Sequence, residues 1–169
     1  TPRKEEKEKT SKKIEKKQNT VITPNINETQ IVKKISRNDS INKTKRIKIE
    51  NNNIIGSLNL EGGLIDDISF KNHKQNLENN KNVEFLNPAQ TENGFYVETG
   101  WTSIGSKIKV PSKNSIWSVS GNNILNENKP VLLQWNNGEG IIFKKQIELD
   151  NKYLFKITQL VQNNTNSQI

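Results

Sequence analysis

Between residue 45 and the C-terminal Ile169 no window of helical length carries an apolar stripe at 3.6-residue spacing, which excludes a core of packed amphipathic helices. Apolar residues alternate with polar ones instead. Ile47 and Ile49 flank Lys48 and precede Glu50, the two-residue period of a strand with one buried face. Gly, Pro and Asn interrupt the pattern every ~8 to 12 residues, the spacing of antiparallel sandwiches and barrels. Residues 45–169 are therefore predicted to be all-β, folded as an antiparallel β-sandwich.

The strand signals follow one another along the chain. Residues 54–60 lead through Glu61, Gly62 and Gly63 into 64–70, a hairpin pair. Residues 83–86 form a short strand closed by Asn87 and Pro88, and 95–101 combine Phe95, Tyr96, Val97 and Trp101 in the aromatic and β-branched mixture that suits a pleated surface. Residues 116–119 make another strand, bounded by Pro111 and Gly121. Residues 131–135 and 141–149 flank Asn136, Asn137, Gly138, Glu139 and Gly140, the clearest hairpin loop, and 153–161 follow after Asp150 and Asn151. Gly62, Gly63, Asn137 and Gly138 are the positions where tight turns call for φ > 0. No internal repeat of the propeller or solenoid kind is present.

The first 44 residues behave differently. They hold 12 Lys/Arg against 6 Asp/Glu, whereas residues 45–169 hold 14 against 12, so most of the net charge of +8 sits on the N-terminal stretch. That stretch has hardly any apolar residue to bury and cannot recover its ordering entropy by packing, so residues 1–44 are expected to be a disordered basic linker. A whole-chain hydrophobic share of 30% agrees with a folded part diluted by such a tail. Its lysines suit an anionic membrane surface, where attraction is modest and screened by salt. Nucleic-acid binding by the tail is the weaker alternative, because no aromatic residue is interleaved to stack on bases.

The composition excludes several chemistries. There is no cysteine, and His73 is the one histidine, which removes disulfides, thiolate nucleophiles and Cys/His zinc sites. No run approaches the ~20 apolar residues of a membrane span. The chain opens on Thr1 rather than Met with no signal-like segment, and so reads as cut from a longer protein or already processed.

Five separated segments carry a resemblance. They are residues 56–72, Pro88 with 94–101, Ile116 with Trp117, 130–145, and 150–158. In that order they resemble the N-terminal part of the periplasmic domain of YidC-type membrane protein insertases of the YidC/Oxa/Alb family, particularly its alphaproteobacterial-like versions, over residues 45–163. The resemblance implies a first part of a β-supersandwich similar to galactose-mutarotase-like domains, following a transmembrane helix and a variable linker. It also implies a bacterial inner-membrane protein with this segment in the periplasm, and a non-catalytic role in inserting and folding inner-membrane proteins. The implied partners are Sec translocon components and nascent inner-membrane proteins, reached through an exposed strand edge or a groove. No cofactor, metal or catalytic residue is implied, and no nucleic acid.

Residues that invite a sharper reading have plainer ones beside it. Asp66 and Asp67 are adjacent acids, but neighbours on a strand point to opposite faces, so they are expected to be solvated rather than a converging acid/base pair. His73 lies among polar residues and is expected on the surface. Trp101, Trp117 and Trp135 each sit in or beside a strand signal and are expected in the core with their indole N–H groups bonded. An aromatic platform built from them would instead make the chain a carbohydrate-binding β-sandwich, the principal alternative function, which would need polar groups around a concave site. The Asn-X-Ser/Thr matches at Asn27, Asn38, Asn42 and Asn163 are what an Asn-rich chain produces by chance.

Overall fold

The computed structural model describes residues 33–105 and 107–169. Its elements are α1 (Arg37–Asn42), β1 (Arg46–Glu50), β2 (Ile54–Asn59), β3 (Leu64–Lys74), β4 (Asn82–Leu86), β5 (Ser118–Asn126), β6 (Lys129–Asn136), β7 (Ile141–Leu149) and β8 (Phe155–Asn163). As expected, the fold is all-β. The strands form one sheet in the order β4-β3-β2-β1-β5-β6-β7-β8. Two antiparallel meanders, β1–β4 and β5–β8, are joined where β1 and β5 pair in parallel through Lys48↔Ile124 and Ile49↔Leu125. The sheet is therefore mixed. A parallel pair needs a long crossover, and residues 87–117 supply it.

The sheet curls on itself. β3 and β8 are six strand positions apart, which would separate them by roughly 29 Å in a flat sheet at ~4.8 Å per strand. Yet Ile68 and Phe70 of β3 line the same groove as Phe155 and Ile157 of β8, and the Phe70 and Tyr153 rings lie 5.7 Å apart, edge to face. The β1–β2 turn holds this closure. Asn51 donates from Nδ2 to the carbonyls of Asp150 and Lys152, each at 3.0 Å, and Asn53 donates to that of Asn151 at 2.9 Å.

The core occupies the inside of the curl, where Ile49, Leu58, Leu125, Val131 and Leu133 are wholly buried. β7 alternates buried and half-buried residues without a break over its nine positions, as its sequence predicts.

Three local readings change. Residues 95–101 make no strand: only Val97 and Phe95 bridge, to Ile65 and Asn87, and Phe95, Tyr96 and Val97 remain exposed. β propensity there is overridden because Gly94 and Gly100 flank a segment that lies along the sheet margin. β5 does not stop at Gly121. It runs to Asn126 with a register shift after that glycine, whose φ is +87°, so the glycine marks a bulge rather than an end. Asn137 does not take a positive φ; among the described residues only glycines do, including Gly62, Gly63 and Gly138. Asn137 instead accepts from the amides of Glu139 and Ile141 through its side chain, an Asx turn.

Of the stretch read as a linker, residues 1–32 lie outside the described residues. Arg37–Asn42, within the remainder, form α1. Ser36 caps it by accepting from the Asp39 amide at 3.1 Å, with Asp39 acidic in the first turn. Six residues cannot hold a helix alone, so α1 depends on contacts with the sheet.

Candidate functional site

The open side of the curl is an apolar groove of about 620 Å³ between β3–β4 and β8. The two-residue period of β3 and β8 directs Ile68, Phe70, Phe155 and Ile157 into it. Phe85 of β4 and Tyr153 before β8 complete an aromatic wall, with Phe70 and Phe85 centroids 5.2 Å apart. Phe85 is 50% exposed and Tyr153 46%, so the wall faces solvent. His73 stands at the rim, exposed as expected, with its ring edge to face on Phe70 at 5.6 Å. The groove has shape and apolar surface but no set of convergent polar groups, so it can hold an apolar segment and offers no acid, base or nucleophile arrangement.

The face opposite Leu58 and Ile68 carries a buried charge cluster that overturns the expected solvation of Asp66 and Asp67. Ser57 pairs with Asp67 and Leu58 with Ile65, which leaves Asp66 as the extra residue of a bulge. The bulge lets both carboxylates converge on Ser57 and two arginines. Arg46 pairs with Asp66 and donates from Nε to Ser57 Oγ at 2.7 Å, Ser57 Oγ donates to Asp67 at 2.6 Å, and Arg37 pairs with Asp67 and donates to Ser69 Oγ at 3.1 Å. Both acids are buried. Burial raises the Asp66 pKa above its ordinary value while Arg46 opposes the rise. With one arginine for each acid, the cluster is a neutralised structural knot. The period-two rule missed it because one inserted residue breaks the alternation.

A second buried charge was also missed. Lys145 lies in the inward row of β7 between Phe143 and Ile147 and is 1% exposed. Its ammonium donates to the carbonyls of Gly62, Gly63 and Thr99 and sits 4.9 Å above the Trp117 ring. Burial draws its pKa from 10.5 to about 8, with Glu98 opposing. The alternation of β7 carried the signal, since position 145 shares the parity of Ile141, Phe143, Ile147 and Leu149.

The three tryptophans belong to the core. Trp101 stacks on Trp117 at 6.1 Å, and Trp135 and Trp101 both contact Phe143. Trp117 Nε1 has no hydrogen-bond partner, contrary to expectation; it lies against Gly63, where an added methyl group would come within 3.1 Å of it. Trp101 and Trp117 also line a cleft of about 440 Å³ together with Glu98, Thr102, Ser112 and Lys145, and Trp135 lies outside it. Among the described residues no three His, Asp or Glu side chains are grouped to hold a metal ion, and no helix is long and apolar enough to cross a membrane.

A family model described as the YidC periplasmic domain matches residues 46–169. The chain belongs to the YidC periplasmic domain family. Two relatives named "Membrane protein insertase YidC" bear this out. The one from Pelagibacter ubique is 36% identical over 148 residues, covering 88% of this chain and 26% of the relative. The one from Rickettsia canadensis is 40% identical over 129 residues, covering 76% of this chain and 23% of the relative. The chain thus spans about a quarter of the length of the YidC proteins it matches. No solved structure matches it.

Proposed function

We propose that the chain serves in the periplasm as a non-catalytic contact module of a YidC-type insertase, taking apolar segments of inner-membrane proteins, alone or beside Sec translocon components. The observation that carries this reading is the solvent-facing aromatic groove on a YidC periplasmic domain. Its lining favours an apolar, uncharged occupant. Among the described residues β8 is the outermost strand on one side, with one charged residue, Lys156, and no proline, a composition without the usual protections against strand addition and suited to receive an extended segment. In this reading residues 1–44 are a basic connection whose lysines lie near anionic lipid.

Site-specific photo-crosslinking in the membrane-embedded full-length insertase tests it. A photoreactive residue at Phe85 or Tyr153 is expected to give adducts with a nascent inner-membrane protein or a Sec component, and one at exposed Lys129 to give none. Adducts confined to the insertase itself would mean that its own chain fills the groove, and the reading would fail.

A further inference from the structure

α1 and its flanks lie across the charged face of β2–β4 and are held there by polar contacts. Arg37 reaches Asp67 and Ser69, with Glu84 at 4.0 Å. The Ile35 amide donates to the Gln90 carbonyl at 3.1 Å, and Ser40 Oγ donates to the Gln90 side chain at 3.1 Å. Ser40 is the one buried residue of the helix. The two apolar side chains of the segment, Ile35 and Ile41, are only half-buried, so little apolar burial ties it to the global stability of the fold, and segments of this kind open locally, without unfolding the rest. The docked state is also not fully satisfied, since Arg37 Nε is buried without a hydrogen-bond partner. β1 is anchored differently. Ile47 and Ile49 are in the core, and Arg46 is locked to Asp66 and Ser57.

We infer that residues 35–45 form a reversible strap that sets where the N-terminal chain leaves the sheet. Docked, the chain departs beside Gln90. Released, it departs at Arg46. Eleven residues reach about 36 Å when extended, whereas the six in α1 advance about 9 Å as a helix. The domain thereby has a short and a long connection to whatever holds residue 33, and Arg37 is the hook that chooses between them. The inference does not depend on the groove, because it concerns the opposite face of the sheet.

Native-state hydrogen exchange read by mass spectrometry tests it on the whole chain, with Arg37→Gln and Gln90→Ala beside the unaltered protein. Peptides covering 35–43 are expected to be protected but to exchange faster than those of β1–β3. Arg37→Gln is expected to speed them about tenfold or more while leaving β1–β3 unchanged, the signature of a sub-global opening. Gln90→Ala keeps every ionised group and is expected to give a smaller acceleration, and it carries the comparison if Arg37→Gln fails to fold. Because the chain has no cysteine, spin labels at Lys33→Cys and Glu92→Cys supply a distance. A single short distance is expected, joined by a long, broad population in Arg37→Gln. Residues 35–43 that exchange without protection in the unaltered protein, or that exchange only together with β1–β3 in every variant, would overturn the strap.

Discussion

Lys145 makes the protein respond to alkali in an unusual direction. Its ammonium is buried among apolar neighbours on β7, and burial lowers its pKa from 10.5 to about 8. Below pH 8 both the folded and the unfolded chain hold the proton, and folding carries the full cost of burying the charge. Between pH 8 and 10.5 the unfolded chain keeps the proton that the folded protein has lost. The unfolded state then binds more protons, so stability rises with pH. Above 10.5 both are neutral and the cost is gone. The gap between 10.5 and about 8, at about 1.4 kcal/mol per unit, amounts to about 3 kcal/mol. The control is Lys145→Met, which keeps the length of the side chain and removes the titration. Urea unfolding of both proteins at pH 7 and at about pH 11 isolates this one group, because all other titrations are shared. The protein with Lys145 is expected to gain about 3 kcal/mol relative to Lys145→Met over that range. A constant difference, or a loss, would refute the reasoning, since a loss would mean that the carbonyls of Gly62, Gly63 and Thr99 outweigh burial and hold the pKa above 10.5.

Other perturbations separate the remaining forces. Asp66→Ala leaves Arg46, with a side chain 8% exposed, buried without its partner, and denaturant unfolding is expected to show a loss of about 3–5 kcal/mol. Gly56→Ala would place a methyl carbon 1.8 Å from the Asp67 carbonyl oxygen and is expected to yield no folded protein by circular dichroism. Gly138→Ala meets open space at φ +82° and is expected to fold with a loss of about 1–2 kcal/mol. Asn51→Ala removes two donations to the β7–β8 turn and two acceptances from the Asn53 and Ile54 amides, at about 1 kcal/mol each. Hydrogen exchange in 150–154 is expected to rise with it, and unchanged protection there would disconnect Asn51 from the closure.

Much of the strand content was legible because the period of two survives in single residues. The hairpin around Gly138 and the alternation of β7 are local facts of composition, and local facts persist in the fold. What could not be read was set by pairing between distant segments. The parallel contact of Ile49 with Leu125 joins residues far apart in the chain, and no alternation announces it. The Asp66 bulge inverts a correct rule by one inserted residue. α1 was readable in principle from Ser36 and Asp39, a serine followed three positions later by an acid, but its setting in a polar, basic stretch hid it. Lys145 was equally readable from parity and was passed over because a lysine on an inward row runs against expectation. For the site, the sequence pointed to the family and to an edge or a groove, but the groove's residues come from β3, β4 and β8, which only the curl brings together.

That curl ties the fold to the proposed function by geometry alone. A flat eight-stranded sheet would expose one apolar face along its whole width and invite aggregation. Bringing the β1–β2 turn onto the β7–β8 turn buries most of that face on itself. The part left over is bounded by β3–β4 on one side and β8 on the other, and it is concave because the sheet bends around it. The groove is thus what remains when a mixed sheet closes by its turns rather than by pairing its edges. Among the described residues both outermost strands, β4 and β8, then lie beside an apolar trough whose aromatic wall, Phe70, Phe85 and Tyr153, comes from opposite ends of the strand order. A segment entering there meets backbone groups along β8 and apolar side chains below. Binding of that kind selects for extended, uncharged chain and is largely indifferent to its sequence, as the proposed contact with many different membrane-protein segments requires.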